Sequence, residues 1–195
     1  MKMLCILCFY LLIAVGHGMN YDFLLADGPT HASSNNTYYF PYGDPKYGIE
    51  FKLLKVDPNT GLWIILLRGR PGDTVGTHRH YGEVYAYTLK GAWGYIEHPE
   101  WISKSGDIIH EAPGSVHTFY IHQDYGDTEL LAFLWGPLEY LDEFGNTIDI
   151  EDWRSILKKN VDYCQKNNLP IVDVTYPKQK VKDVEFNKNK NKSEL

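Results

Sequence analysis

The stretch GTHRHYGEVYAYTLKG, residues 76–91, sets His78 and His80 two residues apart and places Glu83 three residues further on, at the head of an aromatic-rich apolar run. Imidazole is the commonest metal-binding side chain in proteins. On a β-strand, residues two apart point to the same face, so His78 and His80 would offer two adjacent coordination positions to one ion. A third histidine, His117, stands in GDIIHEAPGSVHTFY, residues 106–120, where Gly106 and Ala112-Pro113-Gly114 bound a short strand. Glu83 is the nearest carboxylate to the pair, but it has the wrong parity. In an unbroken strand positions 78, 80 and 84 share a face and Glu83 does not. A β-bulge at Gly82 would be needed to turn Glu83 inward as a fourth ligand; without one it faces outward or serves a supporting role.

The elements that must carry these residues read as strands. From about residue 48 to 140 the chain is a succession of short apolar or alternating runs, among them IEFKLLKV, GLWIILLRG, EVYAYTLKG and ELLAFLWG, broken by turn signals such as Asp57-Pro58-Asn59-Thr60-Gly61. That pattern predicts an antiparallel sandwich or barrel. After Gly145 the period changes. Trp153, Ile156, Leu157, Asn160 and Cys164 recur at helical spacing, with Asp149 as the expected cap and Asn167-Asn168-Leu169-Pro170 as the stop. The expected organisation is a loosely packed arm or edge strand over 19–47, a barrel over 48–148, a helix over 149–168 laid against it, and a polar, partly disordered tail over 169–195.

Composition sets further bounds. A chain of 195 residues suits one well-packed domain. The net charge of -6, with both signs interspersed, offers no basic stripe for phosphates, so nucleic acid is not expected as a partner. Residues 1–18 have a basic start at Lys2, an apolar run over 3–15 and small residues near its end, the layout of a secretory signal peptide. The run is shorter than the roughly 20 residues that span a bilayer, so no stable membrane insertion is expected after cleavage. Of the three cysteines only Cys164 would remain, which excludes an internal disulfide in the mature chain. Asn35 and Asn191 fit the N-glycosylation pattern, and the final Lys-Ser-Glu-Leu is close to an ER-retention signal. Secretion, or residence in the ER lumen, is the expectation.

The two histidine stretches resemble the paired signature motifs of the cupin superfamily. Gly72, His78, His80 and Gly91 stand at the spacing of the first motif, and Gly106, Gly114 and His117 at that of the second. Ala112 replaces a usual proline there, and Pro113 comes one place late. Val84 stands where the first motif has its glutamate. HRHYGEVYAYTLKGAWGYIEH, the second motif and the later YLDEFGNTIDIEDW together resemble the branch of cupins that contains 2,4'-dihydroxyacetophenone dioxygenase and the zinc-binding cupins of bacterial anti-sigma factors. The resemblance implies an all-β fold, a cupin-type double-stranded β-helix (jelly-roll barrel), with one C-terminal amphipathic α-helix. It implies metal ligands at His78, His80 and His117, with Fe(II) as the metal and Zn(II) the alternative. It also implies a dioxygenase that uses O2 to cleave a carbon–carbon bond of an aryl α-hydroxyketone-like small molecule, against a zinc-binding cupin without turnover. Tyr85, Trp93, Phe119 and Trp135 are the candidate pocket lining, and pairing of two copies is expected.

Overall fold

A computed structural model describes residues 33–43 and 45–176. The signal layout of residues 1–18, Asn191 and the terminal tetrapeptide lie outside the described residues.

The apolar runs become thirteen strands among those residues: β1 (Tyr39–Pro41), β2 (Glu50–Asp57), β3 (Leu62–Gly69), β4 (His78–His80), β5 (Val84–Lys90), β6 (Ala92–Tyr95), β7 (His98–Lys104), β8 (Ile108–Glu111), β9 (Val116–His117), β10 (Phe119–Ile121), β11 (Thr128–Trp135), β12 (Leu138–Leu141) and β13 (Thr147–Glu151). They form three antiparallel sheets, ordered β1-β2-β3-β11-β5-β8, β10-β6-β7 and β13-β12-β4-β9. Period-2 burial is clearest in β11, where Thr128, Leu130, Ala132 and Leu134 are buried and the residues between them are half-exposed. Its neighbours β3 and β5 turn Trp63, Ile65 and Leu67, and Val84, Ala86 and Thr88, to the same side. One continuous core takes the apolar residues among these together with Trp93, Tyr95, Phe119 and Ile121 from the three-stranded sheet and Leu138 from the four-stranded one. Trp63, wholly buried, also satisfies its ring N–H on Gly136 O at 3.1 Å, so a polar atom deep in the sheet is not left unpaired.

Two expected boundaries move. Residues 147–151 are not the start of the helix; they pair with β12 as an edge strand, Leu138 opposite Glu151 and Tyr140 opposite Asp149. The helix, α1 (Trp153–Lys166), is capped by Asp152 rather than Asp149. The Asp152 carboxylate accepts from Arg154 N at 2.7 Å and Ser155 N at 3.0 Å, while Ser155 Oγ accepts from Asp152 N at 2.8 Å. Within the arm, β1 pairs with β2 at the edge of the six-stranded sheet and buries Phe40. The polar tail also begins later than residue 169. Val56 N donates to Val174 O and Tyr176 N to Val56 O, which docks residues 174–176 along β2 and buries Val174. The helix buries Ile156, Asn160 and Cys164, and no helix among the described residues is long and apolar enough to cross a membrane.

Candidate metal centre

Strand β4 has three residues, and its alternation places the two histidines inward with Arg79 between them facing out to Glu139 at 3.0 Å. Strand β9 pairs with β4 so that His117 lies directly opposite His78. The register therefore brings all three histidines onto one inner face. All are buried, and their ring centroids stand 4.8 Å (His78–His80), 4.7 Å (His78–His117) and 5.1 Å (His80–His117) apart. One nitrogen from each lies within 4.8 Å of the others, a group that can hold a metal ion.

Local hydrogen bonds select the tautomer of one ring. His78 Nδ1 lies 2.7 Å from Gly76 O. A carbonyl only accepts, so Nδ1 carries the proton and Nε2 is left as the metal-facing atom. Burial, with His80 and His117 close by, pushes the His78 imidazole down to about 3, so it is neutral at physiological pH. In the unfolded chain a histidine takes up a proton near pH 6.5. Between that pH and about 3 the unfolded state thus holds the extra proton. The metal-free protein should lose stability as pH falls through this window, by up to about 1.4 kcal/mol per pH unit for this one group, and should keep the whole contribution above it. Urea denaturation of the metal-free protein at several pH values, beside His78→Asn, reads the effect. An identical pH slope in the two proteins would contradict the assignment.

Sequence reading missed a fourth member. Glu111, the last residue of β8, is 9% exposed and its carboxylate reaches the trio. Oε2 lies 2.8 Å from His80 Nε2 and 3.6 Å from His117 Nε2, and Oε1 accepts a hydrogen bond from Tyr95 OH. Burial alone would raise this carboxyl, but the adjacent His117 and His80 hold it well below the usual range. Burial and the same carboxylate push the Tyr95 phenol far up, so it stays a donor. Its ring also lies against His117, with centroids 4.3 Å apart. The signal for Glu111 was parity. On β8, Ile109 and Glu111 share a face and Ile108 and His110 the other, but which face is inward follows only from its pairing with β5.

Whether these residues suit a metal is answered by their unpaired atoms. Among the described residues four buried side-chain nitrogen or oxygen atoms have no hydrogen-bond partner. Three of them are His80 Nε2, His117 Nε2 and Glu111 Oε2, and the fourth is Ser115 Oγ, two residues before His117. The 2.8 Å approach between Glu111 and His80 is close but is not aligned as a hydrogen bond. Buried polar atoms are nearly always paired, so orphans converging on one point mark where a cation fits.

Other expected site residues divide by strand parity. Trp93 and Phe119 do line the inner cavity, with Val84, Ala86, Leu134 and Tyr140. Tyr85 and Trp135 do not: Tyr85 alternates with the inward Val84 and Ala86, is exposed, and stacks on the exposed His110 on the outer face, with Trp135 edge-on beside it. Glu83 is exposed and is not the site's carboxylate. Gly82 makes no bulge that would turn it inward; the glycine is there because the Trp135 carbonyl passes close to its Cα. Asn35 is exposed, on a single 3-10 turn. The cavity beside the histidines has a volume of about 60 Å³. A larger surface groove of about 650 Å³, bordered by Arg68, Arg70 and Lys90, contains none of His78, His80, His117 and Glu111.

The model of the ChrR cupin-like domain matches residues 30–138, more than half of the chain. No curated protein matches the sequence. Among solved structures, an RmlC-like cupin protein from Ralstonia eutropha JMP134 is 28% identical over 76% of this chain and 94% of its own, with a TM-score of 0.71. A cupin-fold protein of unknown function from the same organism is 23% identical over 76% and 93%, with a TM-score of 0.69. An acetylacetone dioxygenase from Acinetobacter johnsonii is 20% identical over 71% and 93%, with a TM-score of 0.60. The last two likenesses bear on the fold alone. With the family's model matched across both histidine motifs, the chain belongs to the ChrR cupin-like domain family.

Proposed function

We propose that this protein is a non-haem iron dioxygenase that cleaves a carbon–carbon bond of a small substrate carrying two neighbouring oxygens, an α-hydroxyketone or its enediol, with O2. The observation that carries the reading is the convergence of unpaired, buried His80 and His117 Nε2 beside His78 in an otherwise apolar cavity. His78, His80 and His117 would hold the ion. Fe(II) bound there supplies Lewis acidity and an electron path between a chelating substrate and O2.

The chain's own residues do the rest. Gly76 O fixes the orientation of His78. Val84, Ala86, Leu134 and Phe119 keep water from the inner side, which strengthens every charge interaction at the site. Glu111, anchored by Tyr95, places one negative charge beside the histidines and reduces the net charge of a divalent centre. The cavity beside the histidines, about 60 Å³, is smaller than the roughly 150 Å³ cavity known to admit benzene, which supports a short aliphatic substrate over an aryl one.

Glu111 also supports a second reading, in which three histidines and one carboxylate close a tetrahedral Zn(II) site without turnover. Metal analysis of the purified protein, followed by oxygen uptake with Fe(II) and a panel of aliphatic and aryl α-hydroxyketones, separates the two. The expected result is uptake of one O2 per substrate, with two carboxylic acids as products and the short aliphatic substrates fastest. Stoichiometric zinc as isolated, with no uptake on any member of the panel, would sink the dioxygenase. Entry into the secretory pathway and pairing of two copies belong to the same proposal, supported by the layout of residues 1–18 and by the exposed Tyr85, Tyr87 and Ile108 on the outer sheet face.

A further inference from the structure

We infer that Glu111 is itself a metal ligand, the fourth that this chain supplies. The inference rests on the reading of the histidine trio as a metal centre, but not on turnover.

Glu111 pairs across the ladder with Val84, and both turn into the cavity. The carboxylate thus enters from β8, beside the point where β5 offers only a valine. Its two oxygens have separate surroundings. Oε1 is held by the Tyr95 hydroxyl, which fixes the carboxylate's orientation, and Oε2 is left without a hydrogen-bond partner and aimed at two ring nitrogens that also lack one.

Distances then discriminate. Nitrogen and oxygen donors bound at about 2.0–2.2 Å to one ion stand roughly 2.9–3.5 Å apart, depending on whether the geometry is octahedral or tetrahedral. Oε2 is 2.8 Å from His80 Nε2 and 3.6 Å from His117 Nε2, separations that bracket this range. A carboxylate that only accepted from an imidazole N–H would sit on the ring's N–H axis, and the His80 contact is not so aligned. Electrostatics favours the same assignment. The Tyr95 hydroxyl and the nearby His80 and His117 rings compensate the buried carboxylate in part, and a divalent ion touching Oε2 would complete that compensation. Four protein donors then complete a tetrahedron or leave two positions of an octahedron open.

The test loads dialysed protein with Zn(II). A crystal structure of the loaded wild type locates the ion, and competition with a chelator measures affinity in the wild type, Glu111→Gln, Tyr95→Phe and the double variant Val84→Glu/Glu111→Gln. The expected structure has Oε2 within about 2.2 Å of the zinc. Glu111→Gln is expected to lose on the order of a hundredfold or more in affinity, and Tyr95→Phe about tenfold, as the loss of an orienting partner does. The double variant, with a carboxylate returned from the facing strand position, is expected to regain at least tenfold over Glu111→Gln. Circular dichroism of each metal-free variant checks folding, and the wild-type crystal structure decides the matter even if a variant fails that check. Zinc seated on three histidines with Oε2 beyond 3 Å, or wild-type affinity in folded Glu111→Gln, would overturn the inference and leave the metal centre standing. Wild-type protein that binds no zinc at all would overturn the metal centre itself.

Discussion

His117→Ala is expected to abolish stoichiometric metal binding while leaving the barrel folded. The imidazole sits opposite His78 in the β4–β9 ladder, and its Nε2 has no protein partner. Removing it therefore breaks no hydrogen bond at that atom, and the loss falls on the metal. Four-ligand structural zinc sites release about 10–16 kcal/mol in total, or about 3–4 kcal/mol per ligand, so loss of one histidine here is expected to cost on the order of a hundredfold to a thousandfold in affinity. The fold should pay less, because the ring's contacts with Tyr95 and His78 are local and the truncated site can admit water. Equilibrium dialysis with metal analysis checks the first part and a thermal melt of the metal-free variant the second. Full occupancy in the variant would remove His117 from the ligand set.

The second large effect lies in the backbone next to the site. Gly82→Ala is expected to destabilise the protein by about 4 kcal/mol or more, at the upper end for single substitutions. A Cβ at Gly82 would lie 2.0 Å from the Trp135 carbonyl oxygen and 2.6 Å from its carbon, and neither belongs to a side chain that can swing away. The two backbones are also tied there. Trp135 N donates to Glu83 O at 3.0 Å and Tyr81 N to Pro137 O at 3.1 Å. Pushing them apart displaces the β4–β5 connection, and with it His80 on one side and Val84 on the other. Gly126→Ala is the control. Gly126 has a positive φ of 72° but nothing within 4 Å of an added Cβ, so it should cost only about 1 kcal/mol. Urea midpoints of the two variants give the comparison, and equal values would show that the close approach at Gly82 is not what requires the glycine.

Local alternation explains which site residues were legible. His78 and His80 needed only the two-residue period of a strand, and their joint burial follows from it. The same rule, applied along β5, would have turned Tyr85 outward once Val84 was taken as inward; reading strand aromatics as pocket lining overrode it. The helix start shows a different limit. Asp149 and Asp152 are both suitable caps, and the apolar Ile148 and Ile150 fit a strand or a helix equally well by type. Pairing of residues 147–151 with β12 decides for the strand, and the helix then begins after Asp152. Val174, Thr175 and Tyr176 fall within the stretch expected as polar tail because of the Lys- and Asn-rich sequence that follows, yet Val174 finds a buried place against β2 that depends on a pairing distant in the chain.

The sequence by itself determined that this is a β-protein with a terminal helix, and that two histidines share one face of one strand, because both follow from side-chain period along the chain. It also nominated His117 through motif spacing. Only the tertiary structure decided that His117 stands opposite His78, since that depends on the register between β4 and β9, thirty-odd residues apart in the chain. Only the structure, likewise, decided which carboxylate lies beside the histidines. Glu83 lies beside the histidines in sequence but faces solvent, whereas Glu111 arrives from another strand because β8 pairs with β5 and sets it opposite Val84. Period fixes a residue's face relative to its own neighbours. Pairing between strands fixes which residues of different strands meet, and a metal site is made of such meetings.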